Sequence, residues 1–453
     1  MAEVRGWDTV VLQVTTPLFN GGADPDGSSG SGSAGDAGVR VASLRGALRF
    51  WFRALAGTVA GPDLGLLAQM EAAVFGNAGT SSPVRMRIRR QPRPEPGQGR
   101  AAFIGAPGTR PGAGQSPGRG THRPGGSGGL GQSRDDGKWL AYLLGQGLAD
   151  AADRTLRRDF IKPGPAQRIE VGIGFSGIEA VDCLVLASLW LLCAYGGLGS
   201  RTRKGFGGLS IVSGPEHPPG DWTADSLRSP GLEHYEPLTC LWPQDRMEMW
   251  QLYLADLPGI AATPPPDGEA WSSRPSYPVL SRTWTAAATH RSKESSWQRV
   301  LGYAGEQYRW FRAREDAPGV PYRPQVKTPE WRTVTGRGDD GFGLGALGLP
   351  IVFKKDGPTV NADRTVRGTA EPLRRASPLW LRPVTGDGEQ WKLFSFAFQG
   401  QFLPADAGVH VYPRGGRQGA RLAVTDDDLT SRTQLWIETM RAGRTFVRNR
   451  ELR

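Results

Sequence analysis

Residues Gly197 to Gly207 read G-L-G-S-R-T-R-K-G-F-G, two Gly-X-Gly clamps around a basic segment. Glycine lets a backbone turn through φ > 0 and brings N–H groups close to an anion. Arg201, Arg203 and Lys204 add charge at the same place, with Thr202 among them, and arginine forks onto phosphate. The chemistry suited to this spacing is phosphate recognition, with Gly199, Gly205 and Gly207 as bends of the cradle. Glycine after a helix is also an ordinary C-cap, and cations there complement the helix dipole. That role accounts for Gly196 or Gly197 and for Arg201, but not for the second clamp.

A second basic group lies on a helix expected to start with Ser43 as its cap and to run to about Val59. Leu44, Leu48, Trp51, Phe52 and Leu55 fall on one apolar arc, and Arg45, Arg49 and Arg53 follow an i, i+4, i+8 row along its edge. In a core helix such arginine stems cover the apolar rim. No acid stands at i±4 of the row, which favours an anion from outside, and Gly46 allows close approach. The row is therefore expected to contact nucleic acid.

Other chemistry has weaker support. The five histidines show no ligand spacing, so no metal is expected. His290, beside Arg291 and Lys293, is an acid–base candidate toward RNA, although the same pattern reads as a surface histidine. Asp24 and Asp26, in the loop after the first strand, and Asp339 and Asp340 are candidates for holding Mg²⁺, against their reading as solvated turn residues. Gly343, Gly345 and Gly348 precede a strand, the wrong order for dinucleotide binding. Gly172, Gly174 and Gly177 follow strand character, but no acid appears about 20 positions on. An NADP-binding oxidoreductase is thus a remote alternative, and no cofactor is expected.

The elements that must position these residues run in a readable order through the first half. Strands are expected at Val10 to Thr16, Val84 to Arg89, Arg168 to Phe175 and Leu209 to Ser213. Helices are expected after Ser43, at Leu64 to Phe75, at Trp139 to Leu148 and at Ile178 to Tyr195. In outline this is β-α-β-β-α-β, the ferredoxin-like (RRM-like) split βαβ unit. Gln91 to Gly137 collapses to Gly, Pro, Ser and Arg and is expected to be a disordered insertion. A boundary at Gly214 to Gly220 divides the chain into 1–213 and 221–453. The second part is expected to be α+β, a second ferredoxin-like domain, with helices at Arg246–Ala255, Ser296–Arg314 and Asp428–Ala442. Its strand candidates are Val279–Ala287, Ile351–Lys354, Leu379–Pro383 and Trp391–Phe402.

Bulk composition narrows the partners. The chain has 453 residues, a formal net charge of +11 and three cysteines without a C-x-x-C. Such a charge speaks for a polyanion, and the cysteines for a reducing compartment. Met1 to Val14 lacks a basic-then-apolar pattern, so a cytoplasmic protein is expected. Cys183 to Leu198 is apolar but shorter than the ~20 residues of a membrane span, so a buried helix and no membrane role are expected.

Several strings resemble the RAMP superfamily of CRISPR proteins: T-P-L-F-N-G-G-A-D from Thr16, S-L-R-G-A-L-R-F-W-F-R-A-L from Ser43, Phe75–Gly76 and the glycine loop. The first two are similar in particular to the first subunit of type III-B (Cmr) effector complexes. L-G-A-L-G-L-P-I from Leu344 and R-R-A-S-P-L-W-L from Arg374 extend the likeness to the second half. The resemblance implies two ferredoxin-like domains packed as one RNA-binding subunit, without homo-oligomerisation. It implies contacts to the guide RNA toward its 3′ part, to target RNA and to other RAMP/Cmr subunits. By the same likeness, Arg45, Arg49 and Arg53 with Arg201, Arg203 and Lys204 would touch RNA backbone. The implied subunit is not the target-cutting nuclease. A sister subunit cuts with an aspartate in a loop comparable to that of Asp24, so an endoribonuclease using Asp24 or His290 is the alternative.

Overall fold

Four strands and two long helices make the first layer pair. In chain order this part holds β1 (Asp8–Val14), the long α1 (Val41–Ala60), α2 (Leu64–Phe75), β2 (Arg85–Arg90), α3 (Asp136–Leu144), β3 (Arg168–Gly174), the long α4 (Glu179–Tyr195) and β4 (Leu209–Ser213). The computed structural model describes residues 6–21, 38–97, 104, 135–150, 154–266, 268–313, 329–353, 357–366, 369–386, 388–413 and 419–446. The sheet runs β2-β3-β1-β4 with every neighbour antiparallel. Val10, Leu12 and Val14 alternate into the core beneath α1 and α4.

The rest of the chain adds α5 (Ala224–Leu227), α6 (Leu232–Tyr235), α7 (Gln244–Ala255), β5 (Thr285–Thr289), α8 (Trp297–Ala313), α9 (Pro329–Val334), β6 (Ile351–Val352), β7 (Thr359–Val366), β8 (Thr369–Leu373), β9 (Leu379–Thr385), β10 (Trp391–Phe398), β11 (Ala407–Tyr412), β12 (Arg421–Leu422) and α10 (Asp426–Arg441). Strands β5-β10-β9 form an antiparallel three-stranded sheet, and β12-β11-β7-β6 with β8 form an antiparallel five-stranded one. The architecture is mixed α and β with antiparallel sheets.

The three-stranded sheet explains α4. Its one face packs α8 and α10. Its other face lies on the N-terminal helices: Trp51 sits 5.8 Å from Trp380, and Tyr195 sits 6.1 Å from Phe394. Helix α4 is thus held between two sheets, which is why its sequence is apolar on all sides. Strand β10 is likewise buried along its whole length, its side chains alternating between two cores. The acid inside this apolar run, Asp182, is buried and accepts from Ser176 N (2.8 Å), Ser176 Oγ (2.7 Å) and Gly177 N (2.9 Å), fixing the turn into α4.

Both halves contribute to both cores. Trp222, Met247 and Trp250 join the core of the first sheet, and Phe19, Phe160, Phe206 and α3 join that of the second half. Some expected boundaries move for identifiable reasons. Helix α1 starts two residues before Ser43, with Arg40 at the cap and no side-chain capping bond. Helix α3 starts at Asp136, inside the stretch expected to be disordered, because Asp135 accepts from Lys138 N at 3.2 Å. The rest of that stretch, apart from 91–97 and 104, lies outside the described residues. Val279–Leu280 is not part of β5, since Leu280 N donates to Ala54 O of α1 at 2.8 Å instead of to a ladder.

Candidate nucleic-acid interface

The glycine loop leaves α4, makes one 3₁₀ turn over Thr202–Lys204 and returns to β4. Its backbone serves mostly itself. Leu198 N and Gly207 O bond at 2.9 Å, Ser200 N reaches Phe19 O at 2.7 Å, and Gly207 N reaches Pro17 O at 2.8 Å. Lys204, Gly205 and Phe206 N–H groups close the turn onto Arg201 and Thr202 carbonyls. The second clamp is a packing device. Gly205 has φ +86°, and a Cβ there would press on Leu301 Cδ2 and lie 3.0 Å from Pro383 Cδ. Phe206 is buried beside Phe19, and Gly207 (φ +70°) lets the strands of the loop meet. The expectation of a backbone cradle is corrected in this respect: the glycines hold the loop against both halves, and the side chains present the charge.

Those side chains face a cleft of about 930 Å³ between the loop, the end of α3, the C-terminal turn of α8 and the segment Arg374–Ser377. Arg201, Arg203, Lys204, Arg312, Arg374 and Arg375 line it, with Tyr142 and Tyr308, and no acid is among the described residues that line it. The Lys204 ammonium is buried without a hydrogen-bond partner and lies 3.8 Å from the Tyr308 ring centroid. Burial, then Arg312, Arg201 and Arg203, hold it well below the usual lysine range. Burial and then Arg375 pull Arg203 down to about 10. Arg203 Nη1 donates to Ser377 O at 2.8 Å, and its guanidinium lies 5.1 Å from the Trp380 ring. Burial also lowers Arg201 and Arg375. Burial pulls on Arg312 too, but Tyr142, Tyr308 and Glu330 outweigh it and the net shift is upward. The cleft is therefore a set of crowded, partly desolvated cations.

On the other side of the loop, a cleft of about 480 Å³ is lined by Asn20, Arg40, Ser43, Phe50, Trp380 and the same Thr202 and Arg203, among others. Helix α1 meets it with Ser43, Ala47 and Phe50. At 100° per residue the row Arg45, Arg49, Arg53 points roughly 130° away from that face. It packs toward α2 instead: Arg49 Nη1 pairs with Glu71 at 2.7 Å, Arg49 Nη2 donates to Phe75 O (2.8 Å) and Gly76 O (2.7 Å), and Arg53 reaches Glu71 at 3.2 Å. The acid that the row lacks within its own helix is supplied by the next one, which corrects the expectation of an unpaired stripe. Arg45 is half-buried with its Nε unpartnered, and Gly46 is exposed with open space where a Cβ would stand.

The remaining candidates do not assemble there. His290 is buried, not on the surface: Nδ1 accepts from Ser292 N at 3.3 Å, Nε2 lies 3.1 Å from Tyr303 Oη, and burial followed by Lys392 pulls it down to about 4. Asp24 lies outside the described residues, and so does Asp26. Gly172 and Gly174 sit within β3 opposite Arg87 and Arg85, not in a phosphate-binding turn. Among the described residues no cluster of His, Cys, Asp and Glu is suited to a metal ion, and no helix is long and apolar enough to cross a membrane.

Sequence reasoning missed Arg312, Arg375, Tyr142 and Tyr308. Arg375 stands in a string singled out for its resemblance, but only the fold brings it to the loop. Arg382 of β9 was missed as well. Buried, it donates to the carbonyls of Cys193 and Gly196 at the C-terminus of α4 and to Leu209 O at 3.2 Å.

Residues 11–210 match the RAMP superfamily. The chain is similar to the CRISPR system Cmr subunit Cmr1-1 of Pyrococcus furiosus, with 24% identity over 380 residues covering 82% of this chain and 84% of that protein. It is similar to Cmr1-2 of the same organism, with 27% identity over 208 residues, 44% of this chain and 92% of that one. Among solved structures, apo Cmr1 from P. furiosus aligns with a TM-score of 0.47 and 19% identity over 95% of this chain and 97% of that one. A chain of the type III-B Cmr-beta complex bound to cognate target RNA aligns with a TM-score of 0.42 and 12% identity over 95% and 99%.

Proposed function

We propose that this chain, whose residues 11–210 are a RAMP-superfamily domain, is the RNA-binding subunit of a type III-B CRISPR (Cmr) effector. It contacts the guide RNA backbone toward its 3′ end, helps capture target RNA and sits beside other Cmr subunits. The observation that carries the RNA reading is the cleft at the glycine loop, which six basic side chains from both halves line with no acid among its described lining residues. Phosphates are the ligands such a surface attracts. The effector reading rests on the RAMP match and on the likeness to Cmr1-1 along most of both chains. The strand order β2-β3-β1-β4 supports a ferredoxin-like first unit. The order β5-β10-β9 with α8 and α10 on one face supports a second unit of the same kind, with three of its four strands among the described residues.

Recognition through phosphates leaves sequence reading to base pairing within the guide. The test is affinity for several unrelated single-stranded RNAs across a salt series. Wild type binds them alike and weakens steeply with salt; Arg201→Ala with Arg375→Ala weakens all of them by a similar factor, about tenfold or more, and flattens the salt dependence. Binding confined to one sequence, or unchanged in the double variant, refutes the reading. The subunit acts as a binder, so labelled RNA incubated with Mg²⁺ or with EDTA emerges intact.

A further inference from the structure

We propose that the face of the first sheet turned away from α1 and α4 is a second RNA-binding surface. It takes a single-stranded segment, pairing phosphates with Arg85, Arg87 and Arg89 and stacking bases on their guanidinium planes and on Trp7. The inference extends the RNA reading to a surface apart from the glycine loop, and its test separates the two.

The surface begins with the alternation of β2. Met86 and Ile88 pack against the core, and Arg85, Arg87 and Arg89 stand exposed on the opposite side. Their neighbours in β3 are glycines: Gly174 is paired with Arg85, and Gly172 with Arg87. A Cβ at Gly172 would lie 3.0 Å from Arg87 Cγ and 3.2 Å from Arg89 Cδ, and one at Gly174 would lie 3.1 Å from Arg85 Nε. The glycines therefore give the arginines room to lie down across the sheet instead of standing out into water. Laid flat, they cross β3 and reach the start of β1. The guanidinium carbons of Arg87 and Arg85 lie 4.1 Å and 5.1 Å from the Trp7 ring centroid, and Arg89 Nη1 donates to Thr9 Oγ1 at 2.7 Å. The glycine spacing of β3, which makes no phosphate-binding turn, serves instead to flatten a charged platform.

This platform lacks counter-charge. None of its three guanidiniums pairs with an acid among the described residues, and the acid of β3, Glu170, stands 4.0 Å from Arg90. Past Trp7 the surface changes sign, since Asp8 and Glu179 line the next cleft with it, and the basic strip ends there.

The chemistry selects the occupant. A guanidinium stacked on an indole keeps its N–H edge free for an anion. Successive outward residues of a strand lie about 6.7 Å apart, close to the repeat of phosphates along an extended nucleic-acid strand. Unpaired bases stack on arginine planes and on aromatic rings, so the platform offers a partner to both the phosphate and the base of a nucleotide. An acidic peptide uses only the charge.

A long, labelled single-stranded RNA and an abasic oligomer of the same length are titrated by anisotropy into the full chain across a salt series. Arg85→Ala with Arg87→Ala is expected to weaken RNA binding about tenfold and to lower the salt slope by about 1.4, the release due to two phosphates of a single strand. Trp7→Ala weakens RNA about fivefold or more and leaves the abasic oligomer, which has the phosphates without the bases, nearly unchanged. Both effects persist when Arg201→Ala and Arg375→Ala are also present. Unchanged affinity and slope in Arg85→Ala with Arg87→Ala, while Arg201→Ala with Arg375→Ala still weakens binding, overturns this proposal and leaves the RNA reading standing. Absence of RNA binding in the wild type overturns both. A glutamate-rich peptide that displaces the RNA, and whose own binding is lost in Arg85→Ala with Arg87→Ala, assigns the face to an acidic protein and also overturns it.

Discussion

His290 shows how a residue chosen for its chemistry is decided by its surroundings. Its Nδ1 accepts from Ser292 N–H, so in the neutral ring Nε2 carries the proton and donates to Tyr303 Oη. A second proton has no acceptor waiting and is resisted by burial, which pulls the group from 6.5 to about 4. The folded state therefore gains stability above the unfolded value near 6.5 and loses it progressively as pH falls toward 4. On the order of 2–3 kcal/mol is at stake. Urea melts at pH 7.5 and 4.5 measure it: His290→Phe is expected to reduce the difference, leaving the share of His234, which burial and Arg246 also pull down to about 4, and an unchanged pH profile would show that His290 is not a source. Charge type at the glycine loop was legible from composition alone. Its partners were not, because Arg203 meets Ser377 across 174 residues of chain, and no local pattern encodes that distance.

At the scale of elements, periodicity located nearly all the long helices and the strands of both central sheets. It failed where a side chain answers to a neighbour outside its own helix. The row Arg45, Arg49, Arg53 has the spacing of a nucleic-acid stripe, but Arg49 caps the carbonyls at the end of α2 and pairs with Glu71. Replacing Arg49 by alanine is expected to cost about 1–3 kcal/mol of stability and to leave RNA affinity nearly unchanged, the reverse of Arg201→Ala with Arg375→Ala. Thermal melts and anisotropy titrations on the same samples separate these outcomes, and a loss of affinity without a loss of stability would return the row to the interface. Of the small sheet of β6, β7, β8, β11 and β12 only β6 was expected, at Ile351–Lys354; β8 is exposed and carries a proline, β11 carries a glycine, and β12 has two residues.

The whole molecule is less divisible than its strand order. A chain boundary near Gly214 is topologically reasonable, yet Trp380, Phe394 and Phe396 of the second half share a core with Trp51, Trp190 and Tyr195 of the first. Cut at residue 213, the first half would expose the face of α1 and α4 that the three-stranded sheet covers. The isolated 1–213 fragment is expected to be aggregated or loosely packed, and the full chain to unfold in a single calorimetric transition. Two separated transitions, with one reproduced by the fragment, would show independent domains. This interleaving was invisible in the sequence, where both halves carry equally plausible apolar patterns of their own.

Arg382 gives that interleaving an electrical meaning. The glycine loop follows the C-terminus of α4, the end at which a helix carries its partial negative charge. Left bare, the carbonyls of Cys193 and Gly196 would repel a phosphate approaching the loop. The guanidinium delivered by β9 takes up both carbonyls and returns a full positive charge to the spot. The second half thus acts as a shield within the first: it reverses the sign of the field behind the loop, so that an anion arriving there meets an attractive surface instead of the tail of a dipole.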